Sequence, residues 1–201
     1  MVFKNKNACL EPILPSVNED KPQRVVFENV NKNSLLKEYK GEYVLHLAGP
    51  NDKEKKDVIR KIVKQNDYPV IIEDVSQLIS QLIFYDDSSI EDYEIKNTLV
   101  EEMEEIIHRY TTANLLIIEE VGKEDFHLKP TEAGIIVNIL LSRFLSKLPT
   151  IITTTLGRDG LRSFLLEDIL EIFKDSWQTY YFMKNKKIKR FLRYENQVGI
   201  Q

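Results

Sequence analysis

Cysteine is nearly absent. The lone Cys9 excludes a disulfide framework within the chain and a cysteine-built metal site, and it fits a reducing compartment. The three histidines, His46, His108 and His127, show no metal-ligand spacing, so no metal site is expected. No Ser/His/Asp or Cys/His nucleophile set emerges, which leaves a hydrolase of that class without support. Apolar runs are short. The longest, near residues 135–141, falls far below the roughly 20 residues of a membrane span. The N-terminus lacks the basic, apolar, small-residue succession of a signal peptide. No internal repeat is present. These absences lead to the expectation of a soluble, cytoplasmic protein with no membrane partner.

What is present suits one globular domain: 201 residues, 42% hydrophobic and 30% charged. The net charge of -4 conceals an uneven distribution. Residues 86–105 carry nine acids against one base, Lys96, whereas residues 184–193 carry six bases and no acid. Those bases are Lys184, Lys186, Lys187, Lys189, Arg190 and Arg193, set among Tyr180, Tyr181, Phe182, Phe191 and Tyr194. Bases interleaved with aromatics can grip a phosphate backbone and stack bases. Simple strand alternation, with Ile188 and Leu192 inward and lysines in water, explains the same pattern.

Residues 1–24, with Pro12, Pro15 and Pro22, read as an irregular arm, and residues 25–201 as a single domain. Strand-like and helix-like segments then alternate. Strands are expected at 42–47, 69–72, 115–119 and 149–155. Helices are expected at 53–65, 76–84, 90–110, 131–145 and 161–173. In the third of these, Ile95, Leu99, Met103, Ile106 and Ile107 recur at helical spacing as an inward face, leaving the acids solvated. Two β-rich runs, 177–183 and 187–194, close the chain as a hairpin with a basic tip. Alternating strands and helices imply right-handed crossovers and a parallel sheet covered on both faces.

The run Leu115, Leu116, Ile117, Ile118, Glu119, Glu120 is apolar until it ends in two carboxylates. A buried parallel strand reads this way when it terminates at a magnesium–nucleotide site. A phosphate loop reads G-x-x-x-x-G-K-[ST] between a strand and a helix. Residues 49–56 (GPNDKEKK) occupy that place, with Gly49 and Lys55 matching. Glu54 replaces the second glycine, adding bulk and negative charge where phosphate should sit, and Lys56 replaces the magnesium-binding hydroxyl. A polar loop capping a helix is the plainer account of the same residues.

With these motifs in view, the chain resembles the AAA+ ATPases, specifically the bacterial group of replicative-helicase loaders and transposition helpers, over residues 26–183. Residues 140–155 (LLSRFLSKLPTIITTT), 116–122 (LIIEEVG) and 70–79 (VIIEDVSQLI) carry the resemblance. It implies a P-loop-type (AAA+, ASCE) α/β fold, a parallel sheet flanked by helices, here followed by a C-terminal β-hairpin. It also implies ATP or ADP with magnesium as cofactor. Position by position, it places Gly49 and Lys55 at the phosphates, Glu119 at the magnesium shell, Glu120 at the attacking water as the catalytic residue, and Thr155 at the sensor position. Arg143 matches an arginine of the family. Where the family places arginines that reach a neighbouring subunit's nucleotide, this chain has Asp168 and Ile172, with Arg158 and Arg162 out of register. Loss of such an arginine typically costs on the order of 10³-fold in rate.

The expectation is therefore a pseudo-ATPase, an accessory or regulator of helicase loading or initiation in DNA replication. It would act through contacts with an AAA+ relative, a replicative helicase or an initiator, and it is a candidate oligomer. Two alternatives stand beside it. One is a weak Mg-ATPase using Lys55, Glu119 and Glu120. The other is a DNA-binding module using the six bases of the hairpin.

Overall fold

The structure is a computed structural model that describes residues 23–41, 44–83, 93–121, 130–155 and 177–196. Its elements are, in chain order, β1 (Gln23–Val30), α1 (Lys32–Glu38), β2 (Val44–Ala48), α2 (Asp52–Gln65), β3 (Val70–Asp74), α3 (Val75–Ile83), α4 (Tyr93–Thr112), β4 (Leu115–Glu119), α5 (Pro130–Leu145), β5 (Thr150–Thr153), β6 (Trp177–Phe182) and β7 (Ile188–Asn196). Residues 1–22 of the expected arm, the expected helix at 161–173, and Arg158, Arg162, Asp168 and Ile172 lie outside the described residues, whereas the last two arm residues, Gln23 and Arg24, belong to β1.

One seven-stranded sheet runs β1-β7-β6-β2-β5-β4-β3. The block β6-β2-β5-β4-β3 is parallel throughout, while β6-β7 and β7-β1 are antiparallel. The chain leaves β2, crosses to the far edge at β3, returns through β4 to β5, and then passes β2 to reach β6. Strand order therefore reverses at β2. In open α/β sheets the crevice outside the carboxyl ends at such a reversal is where ligands bind.

Strand alternation sends side chains to two helical layers. On one face Val44, Leu116, Ile118, Ile152 and Trp177 pack with Leu78, Ile79 and Leu82 of α3, Tyr110 of α4, and Ile136, Ile139 and Leu140 of α5. On the other, Leu45, Leu47, Ile117, Ile151, Tyr180 and Phe182 pack with Leu35 of α1 and Val58, Ile59 and Ile62 of α2. The i, i+1, i+4 spacing of the three α2 residues makes the apolar stripe that holds this helix to the sheet. Buried on both faces, β4 reads as an apolar run up to Glu119, while β2 and β5 are equally buried and carry His46, Thr150 and Thr153 among their apolar residues.

Two elements escaped the sequence reading. These are β1, whose Gln23 and Arg24 pair with Asn196 and Glu195 of β7, and the short α1, capped by the Asn31 side chain on the Ser34 amide. One inward assignment is corrected: Ile95 is 51% exposed, whereas Met103, Ile106 and Ile107 pack on the core. The apolar stripe of α4 thus engages the body through its C-terminal half. Among the described residues no helix is long and apolar enough to cross a membrane.

Candidate functional site

The carboxyl ends of β2, β4 and β5 converge on a cleft of about 90 Å³ lined by Asp52, Lys55, Lys56, Glu119, Glu120, Thr153, Thr154 and Thr155. Residues expected from separate stretches of sequence, Lys55, Glu119, Glu120 and Thr155, are thereby brought together. Gly49 is not among the lining residues.

The connection from β2 to α2 is only Gly49, Pro50 and Asn51. Asn51 caps α2 twice: its side chain accepts from the Glu54 amide at 3.4 Å, and its carbonyl accepts from the Lys55 amide at 3.2 Å. The helix thus opens at Asp52, and two amides that face a ligand in an open loop are held within it. Gly49 has a separate reason to be glycine. Its φ is +97°, and a Cβ there would come within 2.8 Å of the Phe182 carbonyl oxygen on β6.

Lys55 is 3% exposed. Its ammonium donates to the Thr154 carbonyl at 2.9 Å and lies 2.8 Å from the Asp52 carboxylate, one helical turn earlier. Glu54 points elsewhere. Its carboxylate is ion-paired with Lys32 of α1, which also donates to Asp57 at 2.7 Å. The expectation that Glu54 places its charge in the cleft is therefore corrected; Asp52 supplies the carboxylate beside Lys55. Lys56 lines the cleft as an exposed cation.

The two acids sit on a stitched strand end. The Glu120 amide donates to the Thr153 hydroxyl at 3.1 Å, and the Val121 amide to the Thr153 carbonyl at 2.9 Å. Glu120 adopts a φ of +59°, a left-handed conformation that a non-glycine residue enters at a cost of about 1 kcal/mol. The Thr154 amide in turn donates to the Leu47 carbonyl at 3.1 Å, so β2, β5 and β4 are tied at the cleft floor. Thr153 and Thr154 do this tying, while Thr155 is exposed at the rim. Sequence reasoning gave the sensor position to Thr155, assigned no role to Thr153 or Thr154 beside it, and passed over Asp52. The i−3 spacing of Asp52 from Lys55 was the available signal.

Arg143, which the resemblance left without a role, is not among the residues that line the cleft and is fully buried. From α5 it donates to the Tyr110 and Ala113 carbonyls, both at 2.8 Å, to the Pro149 carbonyl, and to the Thr150 hydroxyl at 2.9 Å. These acceptors lie at the amino end of β5, so Arg143 clamps the edge of the sheet opposite the cleft. Burial pulls its guanidinium down to about 10.

The six bases of the hairpin divide. Lys184, Lys186 and Lys187 are exposed at the tip. Lys189 lies over the Phe27 ring at 5.6 Å, and Arg190 is bound to Glu28 at 2.6 Å and Glu38 at 2.7 Å. Arg193 is in β7, its side chain outside the description. Among the described residues no group of three or more His, Cys, Asp or Glu side chains is arranged to hold a metal ion.

No family model matches the chain, and no curated protein matches it. Solved structures do. The DnaC helicase loader is 16% identical, with 75% of this chain covering 85% of that one at a TM-score of 0.55. DnaI is 18% identical, with 75% covering 80% at 0.53. The replication initiator DnaA bound to AMPPCP and single-stranded DNA is 14% identical, with 77% covering 45% at 0.56. The chain spans less than half the length of the initiator structure. The chain shares the fold of these structures, a mostly parallel sheet flanked by helices, with the antiparallel β6–β7 hairpin following it.

Proposed function

We propose that this chain is a replication accessory protein that uses the AAA+ fold as a protein-binding body and hydrolyses ATP poorly or not at all. The observation that carries this reading is Lys55. A phosphate-loop lysine must be free to donate to phosphate. Here its ammonium is committed to the Thr154 carbonyl and the Asp52 carboxylate. The Glu54 and Lys55 amides are held by Asn51, and Lys56 offers no oxygen to magnesium. The cleft, at about 90 Å³, is smaller than the roughly 300 Å³ at which small-ligand pockets begin. In this reading the residues present do not fit a magnesium–triphosphate, and no hydrolytic step is assigned to them.

A subunit of this kind keeps the outer faces of the fold while its cleft is closed by its own side chains. The helicase loader and the replication initiator among the similar structures direct the search for partners to helicases, loaders and initiators. The test pairs calorimetry with co-purification. The expected result is no ATP binding at millimolar nucleotide, with or without magnesium, together with a stable complex with a loader, helicase or initiator. Absence of any such complex overturns the accessory role.

A second reading, a weak Mg-ATPase, is favoured by the convergence of Lys55, Glu119, Glu120 and Thr155 on one cleft. Magnesium-dependent ATP binding that Lys55→Ala abolishes would establish it in place of the first.

A further inference from the structure

The antiparallel wing β1-β7-β6 has two unlike faces. On the side toward α1 and α2, Ile188, Tyr180 and Phe182 enter the core, and Arg190 is neutralised by Glu28 and Glu38. The pairing of Glu28 with Arg190 and of Phe182 with Ile188 fixes which residues turn the other way. On the opposite side the period-two alternation places Lys189 and Phe191 of β7, Phe27 of β1 and Tyr181 of β6.

Those three rings form a cluster that reaches solvent. Phe27 meets Tyr181 edge-on, with centroids 5.2 Å apart at 88°, and Phe191 at 6.3 Å and 79°. Phe27 is 40% exposed, and Tyr181 and Phe191 are half-buried. The Lys189 ammonium lies 5.6 Å from the Phe27 ring centre. One residue beyond Phe182 the chain turns, and Lys184, Lys186 and Lys187 stand exposed, with no carboxylate partner among the described residues. The turn is braced: the Met183 amide donates to the Lys187 carbonyl at 2.9 Å, the Lys186 amide to the Met183 carbonyl at 3.0 Å, and the Asn51 side chain to that same carbonyl. The lysines are thus presented on a fixed frame.

We propose that this outer face binds single-stranded nucleic acid, with bases against Phe27, Tyr181 and Phe191 and phosphates on Lys189 and the tip lysines. Exposed aromatic surface flanked by uncompensated ammonium groups is the chemistry that unstacked bases on a phosphate backbone require. A duplex encloses its base faces and gains only from the charges. An acidic protein segment would likewise use the lysines without needing the rings. The inference stands independently of the state of the Lys55 cleft.

The test is fluorescence anisotropy on the full chain with labelled oligothymidylate, oligouridylate and a duplex, each about 16 nucleotides long. The expected order is single strands tighter than duplex, with affinity falling steeply as salt rises. Lys186→Glu combined with Lys187→Glu, in an exposed turn that leaves the core untouched, should weaken single-strand binding about tenfold or more. Phe27→Leu keeps apolar bulk but removes the ring, and should cost about tenfold for single strands only. Tighter binding of the deoxy or the ribo strand identifies which is the ligand, and equal binding supports recognition through bases and phosphates alone. No binding at low salt, equal affinity for duplex, or a folded Phe27→Leu protein with unchanged affinity would overturn the proposal. So would insensitivity to the paired charge reversal.

Discussion

The Lys55 ammonium lies 2.9 Å from the Thr154 carbonyl oxygen and so joins the first turn of α2 to the end of β5. With 3% of the residue exposed, this lysine acts as a strut across the cleft. Lys55→Ala should therefore destabilise the protein in the absence of any nucleotide. Removing one partner of a buried hydrogen bond typically costs about 1–3 kcal/mol. Urea denaturation of the wild type and variant should show a midpoint shift of that size, and an unchanged midpoint would deny the strut.

Asp52 supplies the anion that holds the same ammonium, at 2.8 Å, from a side chain that is 62% exposed. Asp52→Asn removes the charge at a solvent-accessible position, so its effect on stability should be small. Freed of its carboxylate, Lys55 becomes available to an outside anion. Calorimetry with millimolar ATP or inorganic phosphate should show weak binding by Asp52→Asn where the wild type shows none, the Lys55 ammonium supplying one charge-assisted hydrogen bond. Continued absence of binding would mean that the short loop, not Asp52, closes the cleft.

Arg143 distributes its donors over Tyr110, Ala113, Pro149 and Thr150, which come from the end of α4, the turn after it and the start of β5. No lysine can reproduce that planar fork. Arg143→Lys should cost about 2 kcal/mol or more, and Arg143→Ala about 3–5 kcal/mol, because the acceptors stay buried. Thermal melts decide this. A variant that melts with the wild type would remove Arg143 from the fold's supports.

Sequence legibility followed the range of the interactions. The end of β4 was readable because a strand buried on both faces has no polar residue until it meets solvent at Glu119. The tip at Lys184 to Lys187 was readable because a run of charges between two aromatic strands has only a turn to occupy. β1 was not readable, since its pairing partner β7 lies at the far end of the sequence and its own run is short and mixed. The role of Arg143 was not readable for the same reason. At the end of a helix it looks solvated until acceptors from other segments are seen to surround it. At the cleft, the convergence of Lys55, Glu119 and Glu120 was legible from the motif, and the start of α2 was read to within one residue, but the pairing of Asp52 with Lys55 was not, because it depends on how the side chains of the first turn settle.

Glu120 holds its left-handed backbone while its amide donates to the Thr153 hydroxyl. Glycine adopts that conformation without a Cβ penalty. Glu120→Gly keeps the amide and should stabilise the fold by about 0.5–1 kcal/mol, partly offset by the greater freedom of glycine in the unfolded chain. Urea titration measures the sign. Destabilisation would mean that the Glu120 side chain supports the cleft more than its backbone strains it.

The Lys32, Glu54 and Asp57 cluster ties α1 to α2 and gives the molecule an acid-sensitive joint. The hydrogen bond from Lys32 holds the Asp57 carboxyl below the ordinary aspartate value, against a smaller opposing effect of desolvation, with the Lys32 and Lys61 charges assisting. A carboxyl lowered in the folded state contributes stability that is fully present above the unfolded aspartate value, near 3.9, and is lost as pH falls through the lowered folded value. The joint should therefore persist through mildly acidic pH and loosen only below about 4. Carbon-detected NMR titration should place Asp57 below a free aspartate, and Lys32→Ala should return it toward the ordinary range. A titration midpoint that Lys32→Ala leaves in place would show that the α1–α2 pairing does not form in solution.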